Sequence, residues 1–187
     1  MRNLLVVMVK EPRPGRVKTR LGADIGMVAA AWWFRHQVTR LLRNIRDPRW
    51  KIVLAVSPDV EGLSSRIWPA EFARVTQGRG DLGDRMARML RLPGGRICVI
   101  GADIPGIRRH HIARGFAALG GADAVFGQSE DGGYWLVGMK RGAARSGLFD
   151  GVRWSTEHSL ADSVATMNGQ RVAYVDTLRD VDTADDL

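Results

Sequence analysis

The chain has 187 residues, 45% of them hydrophobic and 26% charged. That is the size and balance of one domain able to bury its own core, and it excludes collagen-like and disordered classes. The 28 Lys plus Arg against 20 Asp plus Glu give a net charge of +8, a positive field that concentrates anionic partners. A single cysteine excludes an intrachain disulfide and fits a reducing cytoplasm, and the N-terminal apolar run, Leu4 to Val9, is too short to cross a bilayer and lacks a signal-peptide cleavage site.

In chain order, short apolar runs alternate with amphipathic stretches, without linker, low-complexity block or repeat, a pattern that predicts α/β architecture. Leu4 to Val9 reads as a buried first strand followed by a loop rich in Pro, Lys and Arg. Val28, Ala31, Trp32, Val38, Leu42 and Ile45 fall near helical spacing and stop before Asp47-Pro48. Lys51 to Val56 is a second strand ended by Ser57-Pro58, and Arg74 to Thr76 a shorter third. Asp81 is a natural N-cap for a helix carrying Leu82, Met86, Met89 and Leu90, which Pro93-Gly94-Gly95 terminates.

Arg96 to Ile100 is the clearest central strand, and Cys98 within it reads as core packing. It delivers Asp103 to a buried strand's carboxyl end, where open α/β sheets bind ligands. A helix from about Arg109 to Leu119, strands near Ala124 to Phe126 and Tyr134 to Met139, a helix from about Thr156 to Met167 and a strand from Val172 to Val175 lead into LRDVDTADDL.

Four segments have residues suited to chemistry, and each also has a plain structural reading. In KEPRPGRVKTRL, Lys10, Arg13, Arg16, Lys18 and Arg20 surround Gly15. Such a loop can hold phosphates by charge, forked hydrogen bonds and close backbone approach, or it can simply be solvated. It is neither a Walker A loop nor a dinucleotide fingerprint. Asp103 in GADIP can hold Mg2+ or Mn2+ through hard oxygen, or cap the turn before Pro105.

Asp131 in EDGGYWL can serve a ligand or make an ordinary Asp-Gly hairpin. In QGRGDLGDRM, Gln77 and Gly78 can approach a base or ribose while Asp81 caps the helix. The tail acids Asp180, Asp182, Asp185 and Asp186 read as a solvated end or as a helix start capped by Asp182 or Thr183. The four histidines lack metal-ligand spacing, and the six tryptophans read as core or pocket flanks rather than a nucleic-acid platform. With arginines scattered singly, a phosphate-bearing small molecule is the expected partner and nucleic acid is not.

Taken together, KEPRPGRVKTRL, QGRGDLGDRM, GADIPGI, EDGGYWLVGM, WST at Trp154 to Thr156 and LRDVDTADDL resemble, in order and spacing, the radical-SAM/selenodomain-associated transferase 1 family, also described as a domain-of-unknown-function family of glycosyltransferase-A type. The resemblance spans Leu4 to Leu187, and the architecture is similar to that of the phospholactate and molybdenum-cofactor guanylyltransferases. It implies a single-domain, glycosyltransferase-A-like, Rossmann-like three-layer sandwich over residues 1–187, with a mixed, mainly parallel sheet.

By that resemblance Lys10, Gly15, Lys18 and Arg20 face donor phosphates. Asp103 binds Mg2+ or Mn2+, and Asp131 is a second metal ligand or the acceptor-side catalytic carboxylate. A nucleotide or nucleotide-sugar donor, a small-molecule acceptor and a radical-SAM pathway neighbour are the implied partners. Glycosyl transfer is the expected reaction. Nucleotidyl transfer, and nucleotide binding without turnover, are the alternatives. The bulky pair Trp32-Trp33 is a departure from the pattern.

Overall fold

The computed structural model describes residues 2–181 and 183–186. Seven strands, β1 (Asn3–Lys10), β2 (Trp50–Ser57), β3 (Ala73–Thr76), β4 (Arg96–Ile100), β5 (Ala124–Ser129), β6 (Tyr134–Lys140) and β7 (Val172–Leu178), form one sheet in the order β3-β2-β1-β4-β6-β5-β7. β1 pairs in parallel with β2 and β4, β2 with β3, and β5 with β7, whereas β6 is antiparallel to both of its neighbours. The sheet is therefore mixed and mainly parallel.

Side chains alternate across it with the period of two that a pleated strand imposes. Leu5, Val7 and Val9 of β1 and Cys98 and Ile100 of β4 join one core with Phe34, Val38, Leu41 and Leu42 of helix α2 (Met27–Asn44) and Ile112 and Phe116 of α5 (Arg109–Ala118). Leu4 and Val6, with Ile97 and Val99, join the opposite core with Met86, Met89 and Leu90 of α4 (Leu82–Leu90), against which Leu160 and Val164 of α6 (Ser159–Ala165) also pack. Helices thus cover both faces of the sheet in three layers. The Cys98 thiol is fully buried, and desolvation pushes its pKa well up, as expected of packing rather than chemistry.

The strands and long helices lie within a few residues of their sequence-based bounds, but two short helices were not anticipated. α1 (Thr19–Ile25) grows out of the basic loop with Leu21 as its one buried large apolar side chain, and α3 (Asp59–Ser64) follows β2. Asp81 caps α4 as expected: it accepts from the Asp84 N–H at 2.9 Å while Asp84 accepts from the Asp81 N–H at 3.1 Å.

The tail departs from the solvated-end reading. Asp186 accepts from the Thr183 N–H at 2.9 Å and pairs with Arg179 at 2.5 Å around a 3-10 turn, Ala184–Asp186, and the Ala184 N–H donates to Asp24 of α1 at 3.1 Å. Asp182, the alternative cap, lies outside the described residues.

Candidate functional site

The topology fixes which loops can meet. β1, β2, β3, β4, β5 and β7 all run one way, so their carboxyl ends share one edge, and because β6 runs the opposite way its beginning lies there too. The basic loop after β1, the QGRG segment after β3, the GADIP segment after β4 and the β5–β6 turn carrying Asp131 are therefore gathered along that edge. The strand order reverses between β1 and β4, and such a switch point opens the edge to ligands.

The sharpest contact there joins two of these loops. Lys18 Nζ lies 3.0 Å from Asp103 Oδ2, with the Lys18 side chain only 7% exposed and that of Asp103 39% exposed. Lys18 sits just before α1 with φ 45° and ψ 51°, a left-handed conformation that costs a non-glycine residue roughly 1 kcal/mol or more. Val17 beside it is anchored in the core at 4% exposure, so the ammonium is held against the carboxylate.

The remaining loop residues divide. Lys10 ends β1 at the register position of Ser57 and is exposed, Arg20 is exposed on α1, and Gly15 occupies a turn at φ +74° with open space where a Cβ would be. Arg13 instead pairs with Glu61 of α3 at 3.1 Å. Glu11 is tied down from both sides: its N–H donates to the Ser57 carbonyl at 2.8 Å and its carboxylate accepts from Ser65 at 2.9 Å. Its second carboxylate oxygen is buried without a partner, a feature the sequence did not signal.

Gln77 and Gly78 are held by the protein itself. The Gln77 side chain is buried, and its Nε2 donates to the carbonyls of Val9 at 3.1 Å and Ala55 at 2.8 Å, tying β3 to β1 and β2. Gly78 donates its N–H to Asp59 at 3.1 Å, and at φ +76° a Cβ there would lie 2.6 Å from the Arg88 guanidinium, which hydrogen-bonds the Gln77 carbonyl. The donors expected to reach a base are thus already engaged. Asp59 and Arg88, which lock the segment, are the residues missed from sequence, because neither lies in a recognisable motif.

Asp131 is exposed at the β5–β6 turn, where its Oδ1 accepts from the Gly133 N–H at 3.0 Å. Gly132 is required by packing as well as by its φ of +84°, since a Cβ would approach the Glu157 carbonyl to 2.4 Å. The Leu160 N–H donates to the Gly132 carbonyl at 3.1 Å, so Glu157 and the start of α6 brace the acidic turn from behind. Trp154 packs edge-on against Tyr134 and Phe149. Of the other tryptophans, Trp50, Trp68 and Trp135 are in the core, while Trp32 is exposed beside His36 and Arg35. No helix of the described residues is long and apolar enough to cross a membrane.

This sheet with its antiparallel β6 is the fold of the nucleotidyltransferase and glycosyltransferase-A class. A Desulfovibrio desulfuricans G20 protein named for a proposed nucleotide-diphospho-sugar transferase role is 28% identical, with 98% of this chain and 84% of that one covered at a TM-score of 0.88. The 4-diphosphocytidyl-2C-methyl-D-erythritol synthase of Anaerococcus prevotii DSM 20548 matches at 11% identity over 99% and 92% of the two chains, TM-score 0.62. Rv0371c of Mycobacterium tuberculosis H37Rv, solved in complex with manganese, matches at 13% identity over 100% and 96%, TM-score 0.58. No curated protein matches the chain. The chain belongs to the DUF2064 family, described as uncharacterized proteins conserved in bacteria, which matches residues 41–156.

Proposed function

We propose that this protein is a metal-dependent transferase acting on a nucleotide-activated donor, with a nucleotide-sugar as donor and glycosyl transfer as the reaction. The observation that carries the reading is the Lys18–Asp103 pair at 3.0 Å, which sets a phosphate-binding cation and a hard oxygen ligand side by side at a strand-end edge. Lys10, Arg20 and the open backbone at Gly15 are the further donor contacts. Among the described residues no three His, Cys, Asp or Glu side chains form a metal cage. That sparse donor set suits Mg2+ or Mn2+, which retain waters and are commonly held by one or two carboxylates together with substrate phosphates.

Asp103 is the assigned metal ligand, with Asp131 as the second. A bound ion would supply neutralisation of charge on the departing phosphates. Lys18, held beside Asp103, and the exposed Lys10 stabilise the same charge, which needs no protein nucleophile. Asp131, exposed and held by the Gly133 N–H, orients the acceptor hydroxyl and takes its proton.

Nucleotidyl transfer is the second reading, favoured by the cations Lys10, Arg16, Lys18 and Arg20 in one short segment, which suit three phosphates. Arg13, held by Glu61, does not add to them. A thermal-shift screen of nucleoside triphosphates, diphosphates and nucleotide-sugars with and without Mg2+ or Mn2+ tests both, since a ligand at a hundred times its Kd adds about 2.7 kcal/mol of stability. Release of nucleoside diphosphate from the stabilising donor supports glycosyl transfer, and release of pyrophosphate supports nucleotidyl transfer. Binding without either product over a broad acceptor panel supports a non-catalytic nucleotide-binding protein. If no nucleotide shifts the melting temperature with either ion, the proposal fails.

A further inference from the structure

A second basic feature lies on the helical face that contains α2 and α5. Between the last turn of α2, the loop entering β2 and the first half of α5 runs an open cleft of about 1030 Å3, and none of Lys10, Lys18, Asp103 or Asp131 lines it. It is large enough for a nucleotide-sized ligand, such sites spanning roughly 300–1,000 Å3. Six arginines line it, Arg43, Arg46, Arg49, Arg108, Arg109 and Arg114, against one carboxylate, Asp47.

Three of these guanidiniums have carboxylate partners. Arg49 pairs with Asp47 at 2.8 Å, Arg46 with Glu71 and Arg114 with Asp176. Arg108 turns back to the Pro105 carbonyl at 2.8 Å. Arg43 and Arg109 are exposed and make no hydrogen bond or ion pair with any described residue.

Electrostatics makes this arrangement costly in the free protein. The first turn of α5 holds Arg109, His110 and His111 behind Arg108 at the N-cap, with no acidic residue. Cations at the positive end of a helix dipole are destabilising, and like charges so close repel. A bound polyanion would offset both effects, because guanidiniums fork onto phosphate oxygens and the α5 N-terminus favours negative charge.

We propose that this cleft is a second anion site, independent of the donor reading above, that takes a small molecule carrying two or more linked phosphates, with Arg43 and Arg109 as its principal contacts. Inorganic tripolyphosphate is the probe. Calorimetric titrations compare wild type, Arg43→Ala/Arg109→Ala, the charge-conserving Arg43→Lys/Arg109→Lys, and Lys18→Ala, each checked for native circular dichroism. The double alanine variant should lose at least tenfold in affinity with a shallower salt dependence, the lysine variant should keep most of it, and Lys18→Ala should leave this binding event intact.

Wild-type affinity in the double alanine variant overturns the proposal, as does loss of all tripolyphosphate binding in Lys18→Ala, which would place the anion at the strand edge. An oligonucleotide or acidic peptide bound through Arg43 and Arg109 while tripolyphosphate is not would also overturn it. Should the double alanine variant not fold, Arg43→Ala and Arg109→Ala are titrated singly: a fall in affinity in either supports the site, and wild-type affinity in both overturns it.

Discussion

Lys18 does two things that substitution can separate, and the structure gives each a magnitude. Lys18→Ala removes an ammonium buried to 7% exposure from a carboxylate that is 39% exposed. Exposed pairs contribute up to about 1 kcal/mol, and breaking a fully buried pair costs about 3–5 kcal/mol. Asp103 keeps access to water once its partner is gone, so the cost here lies near the low end, about 1–2 kcal/mol. For a chain of this size that corresponds to a fall of about 2–8 °C in Tm.

Alanine also inherits the left-handed backbone at φ 45°, ψ 51°, which glycine adopts freely. Lys18→Gly should therefore be about 1 kcal/mol more stable than Lys18→Ala. Donor affinity should fall equally in both, by tenfold or more, because both lack the ammonium. Thermal unfolding and calorimetric titration with the nucleotide found by the screen give the two readouts. Wild-type donor affinity in both variants would refute the phosphate assignment, and identical melting of both would refute the strain assignment.

Asp103→Asn keeps the shape of the side chain but is a poorer hard-ion ligand. It should abolish the Mg2+- or Mn2+-dependent gain in donor affinity while the protein stays folded, and full retention of that gain removes Asp103 from metal binding. Asp131→Asn keeps an oxygen for the Gly133 N–H, so it should spare Tm and lower turnover by at least tenfold. Gly132→Ala, whose Cβ would sit 2.4 Å from the Glu157 carbonyl at φ +84°, should cost at least about 2 kcal/mol. Unchanged turnover in the first, or an unchanged denaturation midpoint in the second, would count against the acidic-turn account.

His111 supplies a pH test. Its pKa is lowered by desolvation first, and then by His110, Arg114 and Arg108, with Asp176 opposing, while its neutral Nδ1 accepts from the Arg108 N–H at 3.1 Å. The unfolded chain protonates first, so stability present above about pH 6.5 is lost as pH falls toward the lower folded value. Urea midpoints should decline from pH 7.5 to 5.5 in wild type and less in His111→Asn, and parallel declines would show that His111 is not responsible.

The parts of the molecule that were legible from sequence are those governed by local rules. The buried apolar runs of β1 and β4, the Asp81 cap and the helical spacing of α4 each depend on neighbours a few residues away, and each took its expected form. So did the arrival of Asp103 at a strand end, because a buried apolar run stopped by GADIP leaves little choice. α1 escaped because only Leu21 anchors it and glycines at 22 and 26 resemble breakers. Its helix is secured by tertiary contacts, including the donation from Ala184 to Asp24 across 160 positions of sequence.

Charge was the least legible property, since a formal charge does not say what a side chain will touch. Arg74 looks like any scattered surface cation, yet its guanidinium donates to the carbonyls of Leu63 at 2.9 Å, Ser65 at 2.7 Å and Trp68 at 2.8 Å and so ties the α3 region to β3. Arg13 joins α3 rather than the donor edge, and Gln77 binds backbone rather than presenting its amide outward. The basic excess therefore separates into arginines that satisfy carbonyls or carboxylates within the fold and a smaller number that do not. Lys18 is distinctive because it is both buried and set against a carboxylate at a strand end. Arg43 and Arg109 differ from it in the opposite way: exposed and without a hydrogen bond or ion pair among the described residues, they add positive charge to a surface that already carries four other arginines and a single carboxylate, Asp47.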